Sequence, residues 1–153
     1  VMDGTIAGDG PGPRCMVPHV KNIILASRDQ IAIDATSARL MGFDPLTIGF
    51  IRNGHERGLG MGDVRQIEYV GDDISSVNWG FHAQQDTFAS RGQKLIYHGP
   101  LKPLEKLLLR SPLVPWSYLA SNLYHNWYWY HVHGKRRIQQ VKQGPWGQLF
   151  DRY

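Results

Sequence analysis

Two stretches of unlike periodicity meet near residue 75, and that change constrains the possible folds more than any single motif. Residues 1 to about 75 alternate short apolar runs with helical patterns, the order that builds a mostly parallel sheet covered by helices. From about residue 90 the chain becomes a series of short helical patterns, cut by proline and crowded with Trp and Tyr. The expected fold class is therefore α/β: a partial, mostly parallel sheet with flanking helices, followed by a helical, aromatic-rich C-terminal extension. Residues 1–75 read as the C-terminal portion of an α/β domain, and residues 76–153 as a linker and the extension.

In the first stretch, residues 1–7 read as a strand. Asn22-Ile23-Ile24-Leu25-Ala26-Ser27 is a second, apolar enough for burial on both faces. Asp29 is placed to cap a helix over residues 30–41, which Gly42 ends. On it Ile31, Asp34, Ala35, Ala38 and Gly42 share a face whose small residues permit close approach to a sheet. Asp44-Pro45 restarts a helix that reaches the Gly58 region. After the turn Gly58-Leu59-Gly60-Met61-Gly62-Asp63, a third strand is expected at Gln66-Ile67-Glu68-Tyr69-Val70. Three strands are thin for a doubly wound sheet, and the chain opens on Val1 inside a strand-like run. A missing N-terminal half is thus the first partner the sequence implies, with an unpaired strand edge expected in its absence.

In the extension, Pro103 to Arg110 forms one helical pattern. After Pro112 and Pro115, another runs from about Trp116 to His133, with Gly134 as its stop. Lys135-Arg136-Arg137 opens a third, and Gly144-Pro145 precedes Trp146-Gly147-Gln148-Leu149-Phe150. No internal repeat or low-complexity stretch is present.

Composition narrows the function classes. With 42% hydrophobic and 20% charged residues, the chain is globular rather than disordered. A net charge of +4 is too small a surplus to argue for nucleic acid. One cysteine, Cys15, excludes an internal disulfide framework and any cluster held wholly by thiolates of this segment, and it fits a reducing, cytoplasmic setting. No apolar run reaches the roughly 18 residues of a transmembrane helix.

Several of these residues resemble a known family. Residues 1–13 (Val-Met-Asp-Gly-Thr-Ile-Ala-Gly-Asp-Gly-Pro-Gly-Pro), then Ile33-Asp34-Ala35 with the run from Ala38 to Pro45, then Glu56-Arg57-Gly58-Leu59-Gly60, are similar to the C-terminal part of the domain-of-unknown-function family 362. The likeness covers roughly the first 75 residues, and the closing Pro-Trp-Gly-Gln-Leu-Phe segment resembles tails of some members. It implies a bacterial or archaeal α/β protein. Some members add a ferredoxin-like region with cysteine motifs for iron–sulfur clusters, so the resemblance also implies redox-related enzyme chemistry. Because Cys15 stands alone, such a cluster would belong to the missing region, and no cofactor is assigned to residues 1–153.

The candidate ligand loop is Gly8-Asp9-Gly10-Pro11-Gly12-Pro13-Arg14. It follows a strand, its glycines allow backbone N–H groups to approach an anion, and Arg14 can pair with phosphate or carboxylate. It lacks the Lys-Ser/Thr of a P-loop, and a rigid turn is an equal reading. Asp3 and Asp9 are able to hold a hard cation, although Asp9 suits an Asx-turn better. Asp34 falls on the apolar helical face, where a charge needs a partner: a backbone N–H of the glycine loop or a bound ligand. The ligand-binding candidates are thus Asp3, Gly8, Asp9, Gly10, Gly12, Arg14 and Asp34. No metal is assigned, because His131 and His133 point to different sides of a helix and His125 brings no matching motif. His55 and Glu56 read as a solvated helix end rather than an acid–base pair.

Trp116, Tyr118, Tyr124, Trp127, Tyr128, Trp129 and Tyr130, followed by Lys135, Arg136 and Arg137, suit packing of the extension onto the α/β layer or the missing half. The less favoured reading of the same residues is a surface that stacks bases or a helix seated at a membrane interface. The function expected from sequence is binding of a small anionic ligand, as part of a redox-related enzyme. The alternative is a non-catalytic module that docks on a membrane surface or protein partner through its aromatic-basic helices.

Overall fold

Only seven residues separate the first two strands, too few for the crossover that parallel pairing requires. In the computed structural model, β1 (Met2–Asp9) and β2 (Val17–Leu25) therefore pair as an antiparallel hairpin. The structure describes every residue but Pro13, residues 83–87, Arg110, Leu113 and Tyr153. This hairpin is the only sheet among the described residues, so the expected mostly parallel α/β sheet is corrected to a largely helical chain with one two-stranded ribbon. The second strand begins at Val17, earlier than its apolar run suggests. It is also not buried on both faces: Val20, Asn22 and Ile24 alternate outward, and Ile24 is 71% exposed. The chain divides into two compact units, Val1–Ala7 with Val20–His82, and Gly8–His19 with Ala83–Tyr153.

In the first unit, α1 (Gln30–Met41) starts where the sequence places it. The Asp29 carboxylate accepts from Ala32 N–H at 3.0 Å. Gly42 ends the helix at φ 100°, with Gly42 N–H on Arg39 C=O and Phe43 N–H on Ala38 C=O, the paired bonds of a Schellman cap. The small face of α1 packs on α2 (Gly49–Glu56) rather than on the sheet the sequence suggested, and the contact with the ribbon comes from Ser37, off that face, whose Oγ lies 2.9 Å from Met2 Sδ. Ala35 and Ala38 pack with Ile51 of α2 as the buried core, flanked by Ile31, Phe43, Ile48, Val64 and Ile67.

The continuous helix expected after Pro45 is interrupted. A 3₁₀ turn, Pro45–Thr47, capped by Asp44, stops at Ile48 before α2 begins. The third strand is absent. Asp63 is 7% exposed and caps a second 3₁₀ turn, Val64–Gln66, by accepting from Arg65 N–H, the Arg65 guanidinium and the Gln66 amide. Gln66 N–H closes the turn on Asp63 C=O at 3.0 Å instead of joining a ladder. The chain then returns to the end of α1: Trp79 N–H donates to Leu40 C=O and Phe81 N–H to Met41 C=O, both at 2.8 Å. Lys21 lies 5.0 Å from the Trp79 ring centroid and 5.3 Å from that of Phe81.

The second unit holds α3 (Phe88–Tyr97), a 3₁₀ turn (Lys102–Leu104), α4 (Glu105–Leu109), α5 (Val114–Asn122), a π-helix (Leu123–Gly134), α6 (Lys135–Lys142) and α7 (Pro145–Phe150). The helix expected over 103–110 is thus split into a 3₁₀ turn and α4, and its last residue, Arg110, lies outside the described residues. Gly134 does not stop the next helix. Its φ of −63° and ψ of −49° are helical, and α5, the π-helix and α6 follow one another without a break. A glycine is needed for another reason: a Cβ at 134 would stand 2.6 Å from Cζ3 of the Trp129 ring.

Candidate functional site

The hairpin loop turns its polar groups on itself. Asp9 Oδ1 accepts from Gly10 N–H at 2.7 Å, Gly10 adopts φ 81°, and Cys15 N–H donates to Pro11 C=O at 3.2 Å. The glycines on either side make room for Met16. A Cβ at Gly8 would lie 2.5 Å from its Sδ, and one at Gly12 would touch it at 3.5 Å. Arg14 is exposed, whereas Cys15 is buried, and burial raises its thiol pKa against the opposing pull of Arg137 and Arg14. Pro13, part of the same expected loop, lies outside the described residues.

Asp3 is exposed and accepts from both the backbone N–H and the hydroxyl of Thr5, which hold its carboxyl below the ordinary range. Asp34 is exposed as well, so its expected burial is corrected: on α1 the covered positions are Ala32, Ala35, Thr36, Ser37, Ala38 and Leu40. With its carboxylate in solvent, Asp34 requires no buried partner. Asp3 and Asp34 belong to the first unit, and Gly8, Asp9, Gly10, Gly12 and Arg14 to the second. His55, read from sequence as part of a solvated helix end, instead accepts through Nδ1 from Gly62 N–H at 3.3 Å.

A different arrangement emerges on the long helical run of the second unit. Trp116, Leu119, Leu123, Trp127 and Val132 follow at spacings of three, four, four and five residues. Three and four return to one face of an α-helix, and the longer last step matches the wider i→i+5 turn of the π segment. All five are exposed, Trp116 at 67% and Trp127 at 71%. Tyr128 and Tyr130 add further exposed aromatic surface, and Lys135 and Arg136 stand exposed where the stripe ends.

The other side of the run is the half-buried one. It carries Ser121, His125, Trp129, Gly134, Arg137 and Val141. Arg137, grouped from sequence with its basic neighbours, is engaged there. Its Nη1 donates to Cys15 C=O at 3.1 Å and Met16 C=O at 3.3 Å, while the guanidinium lies 5.6 Å from the Trp129 ring centroid. The imidazoles are likewise held locally: His125 Nδ1 donates to Ser121 C=O at 2.9 Å and His131 Nδ1 to Trp127 C=O at 2.7 Å.

Composition around the stripe supplies a signal that motif reading passes over. Between Glu105 and Asp151 there is no acidic residue, whereas Lys106, Arg110, Lys135, Arg136, Arg137 and Lys142 are basic. Among the described residues, no helix is long and apolar enough to cross a membrane, and no three His, Cys, Asp or Glu side chains gather as a metal site.

The chain matches no protein-family model, no curated protein and no solved structure. The resemblance to the domain-of-unknown-function family 362 accordingly rests on the sequence motifs alone.

Proposed function

We propose that this chain is a docking module whose C-terminal helical run lies on an anionic membrane surface. The observation that carries the reading is the exposed stripe of Trp116, Leu119, Leu123, Trp127 and Val132, with Lys135 and Arg136 at its end and no carboxylate from residue 106 to residue 150. A helix with aromatic and aliphatic side chains on one face and cations beside it seats in the headgroup–acyl boundary. Each large apolar side chain taken out of water supplies about 1.5–3 kcal/mol, and each cation near an anionic leaflet about 1 kcal/mol. Trp and Tyr suit that boundary because each has an apolar body and a polar tip. A small anionic ligand in the hairpin loop is the weaker proposal, since Asp9 already places a negative charge on the Gly10 N–H.

Vesicle co-sedimentation of the full chain tests the reading. Binding is expected to vesicles of phosphatidylcholine with phosphatidylglycerol, to weaken in high salt, and to fall more than tenfold in a Trp116→Ala/Trp127→Ala variant that remains folded. No binding to anionic vesicles at low salt would refute it. So would self-association that buries both tryptophans, because a protein partner would then occupy the stripe.

A further inference from the structure

A second apolar surface lies upstream of the stripe, where α3 turns into α4. Leu101 N–H donates to Leu95 C=O at 3.2 Å and Leu104 N–H to Leu101 C=O at 2.9 Å, so the chain folds back on the last turns of α3. The fold-back needs Gly99, because a Cβ there would stand 2.8 Å from both the Cα and the carbonyl oxygen of Leu95. Pro100 and Pro103 flank Leu101 and Lys102, and each fixes its own φ, which limits the freedom of the corner. Leu101, Leu104 and Leu107 then follow at steps of three. Side chains three apart eclipse in a 3₁₀ turn and are neighbours on the helix that follows it.

These three leucines are exposed, Leu107 at 55%, and so is Leu95. Lys94, Lys102 and Lys106, each next in sequence to one of the leucines, are exposed as well. The only carboxylate in the sequence from residue 87 to residue 150 is Glu105, and it is half-buried. The corner therefore presents apolar surface with positive charge beside it.

We infer that this corner is a second seat on the anionic leaflet, its leucines entering the headgroup–acyl boundary and its lysines meeting lipid phosphate. The inference takes its partner from the membrane-docking reading but stands on residues which that reading does not use. Leucine beside lysine is the make-up of an interfacial element, and a lysine-bearing surface poor in carboxylates is complementary to anionic lipid. Nine positions separate Leu107 from Trp116, a reach of at most about 32 Å. Once the stripe is seated, the corner meets the leaflet at the raised effective concentration of a tethered group, so the two contacts multiply. A corner already fixed by Gly99 and two prolines loses little conformational freedom on docking.

The test compares the full chain with Leu101→Ser/Leu104→Ser/Leu107→Ser and with Lys102→Gln/Lys106→Gln, which keeps the apolar surface, in co-sedimentation with phosphatidylcholine/phosphatidylglycerol vesicles. The leucine variant should bind at least about tenfold more weakly. Its tryptophan emission should still shift to the blue at saturating lipid, because the stripe still inserts. The lysine variant should bind about fivefold more weakly for each cation removed and lose part of its salt dependence. Phe50→Ser, at an exposed apolar residue of the first unit, should change neither. Should the leucine variant lose its helical circular dichroism, the lysine variant decides. Unchanged binding in the deciding variant overturns this inference and leaves the docking reading standing. Self-association of the unaltered chain without vesicles that is lost in the leucine variant gives the corner to a protein partner and overturns it too. Absence of binding of the unaltered chain to anionic vesicles overturns the docking reading itself, and this inference with it.

Discussion

At the level of single residues, carboxylates decide much of the local structure. Asp29 was legible as a helix cap, but its second bond was not: Oδ2 accepts from Met61 N–H at 2.7 Å, tying the glycine turn to the start of α1. Asp29→Ala should cost about 2 kcal/mol in urea unfolding, the scale of a lost cap, and Asp29→Asn markedly less. Gly60 has a spatial reason, since a Cβ there would stand 2.7 Å from Ile31 Cβ. Gly60→Ala should therefore destabilise by about 1–3 kcal/mol through overpacking, whereas alanine at the open Gly49 position should not. Asp63 gives a pH prediction. Hydrogen bonds from Arg65 and Gln66 hold its carboxyl far below the ordinary 3.8. The folded group protonates at lower pH than the unfolded one, so its stabilisation is complete above about pH 5 and is lost as pH falls toward the folded value. Asp63→Asn should show a shallower loss of stability than the unaltered chain between about pH 5 and pH 2. Parallel curves would mean that the Asp63 bonds contribute nothing.

Among the elements, α1 with both its caps was readable because helix ends are set by nearby residues: Asp29 at the start, Gly42 at the stop. Gly134 misled for the same reason. A glycine after an aromatic run reads as a stop, but here it sits in helical backbone beneath Trp129, a contact made through the wider π turn. Gly134→Ala gains helix propensity yet must displace the indole. The expected net result is a destabilisation of about 1 kcal/mol with a red-shifted tryptophan emission as Trp129 moves toward water. An unshifted spectrum and raised stability would show that the ring adapts without cost.

For the molecule as a whole, the exposed stripe implies that its tryptophans do little for folding. Trp116→Ser/Trp127→Ser should change unfolding stability by less than about 0.5 kcal/mol per site, as exposed substitutions usually do; a cooperative loss of several times that would place the indoles in the core instead. The sequence by itself determined the break in character between the halves, the two caps of α1 and the aromatic-basic make-up of the C-terminal run. Each depends on neighbours within a turn or two, so local chemistry is sufficient. Strand pairing, the fate of residues 66–70, the exposure of Asp34 and the side on which Trp116 and Trp127 lie were decided only in three dimensions. Antiparallel and parallel pairing demand the same apolar runs and differ in what the connection can span, and a face is covered or open according to which distant segment packs against it.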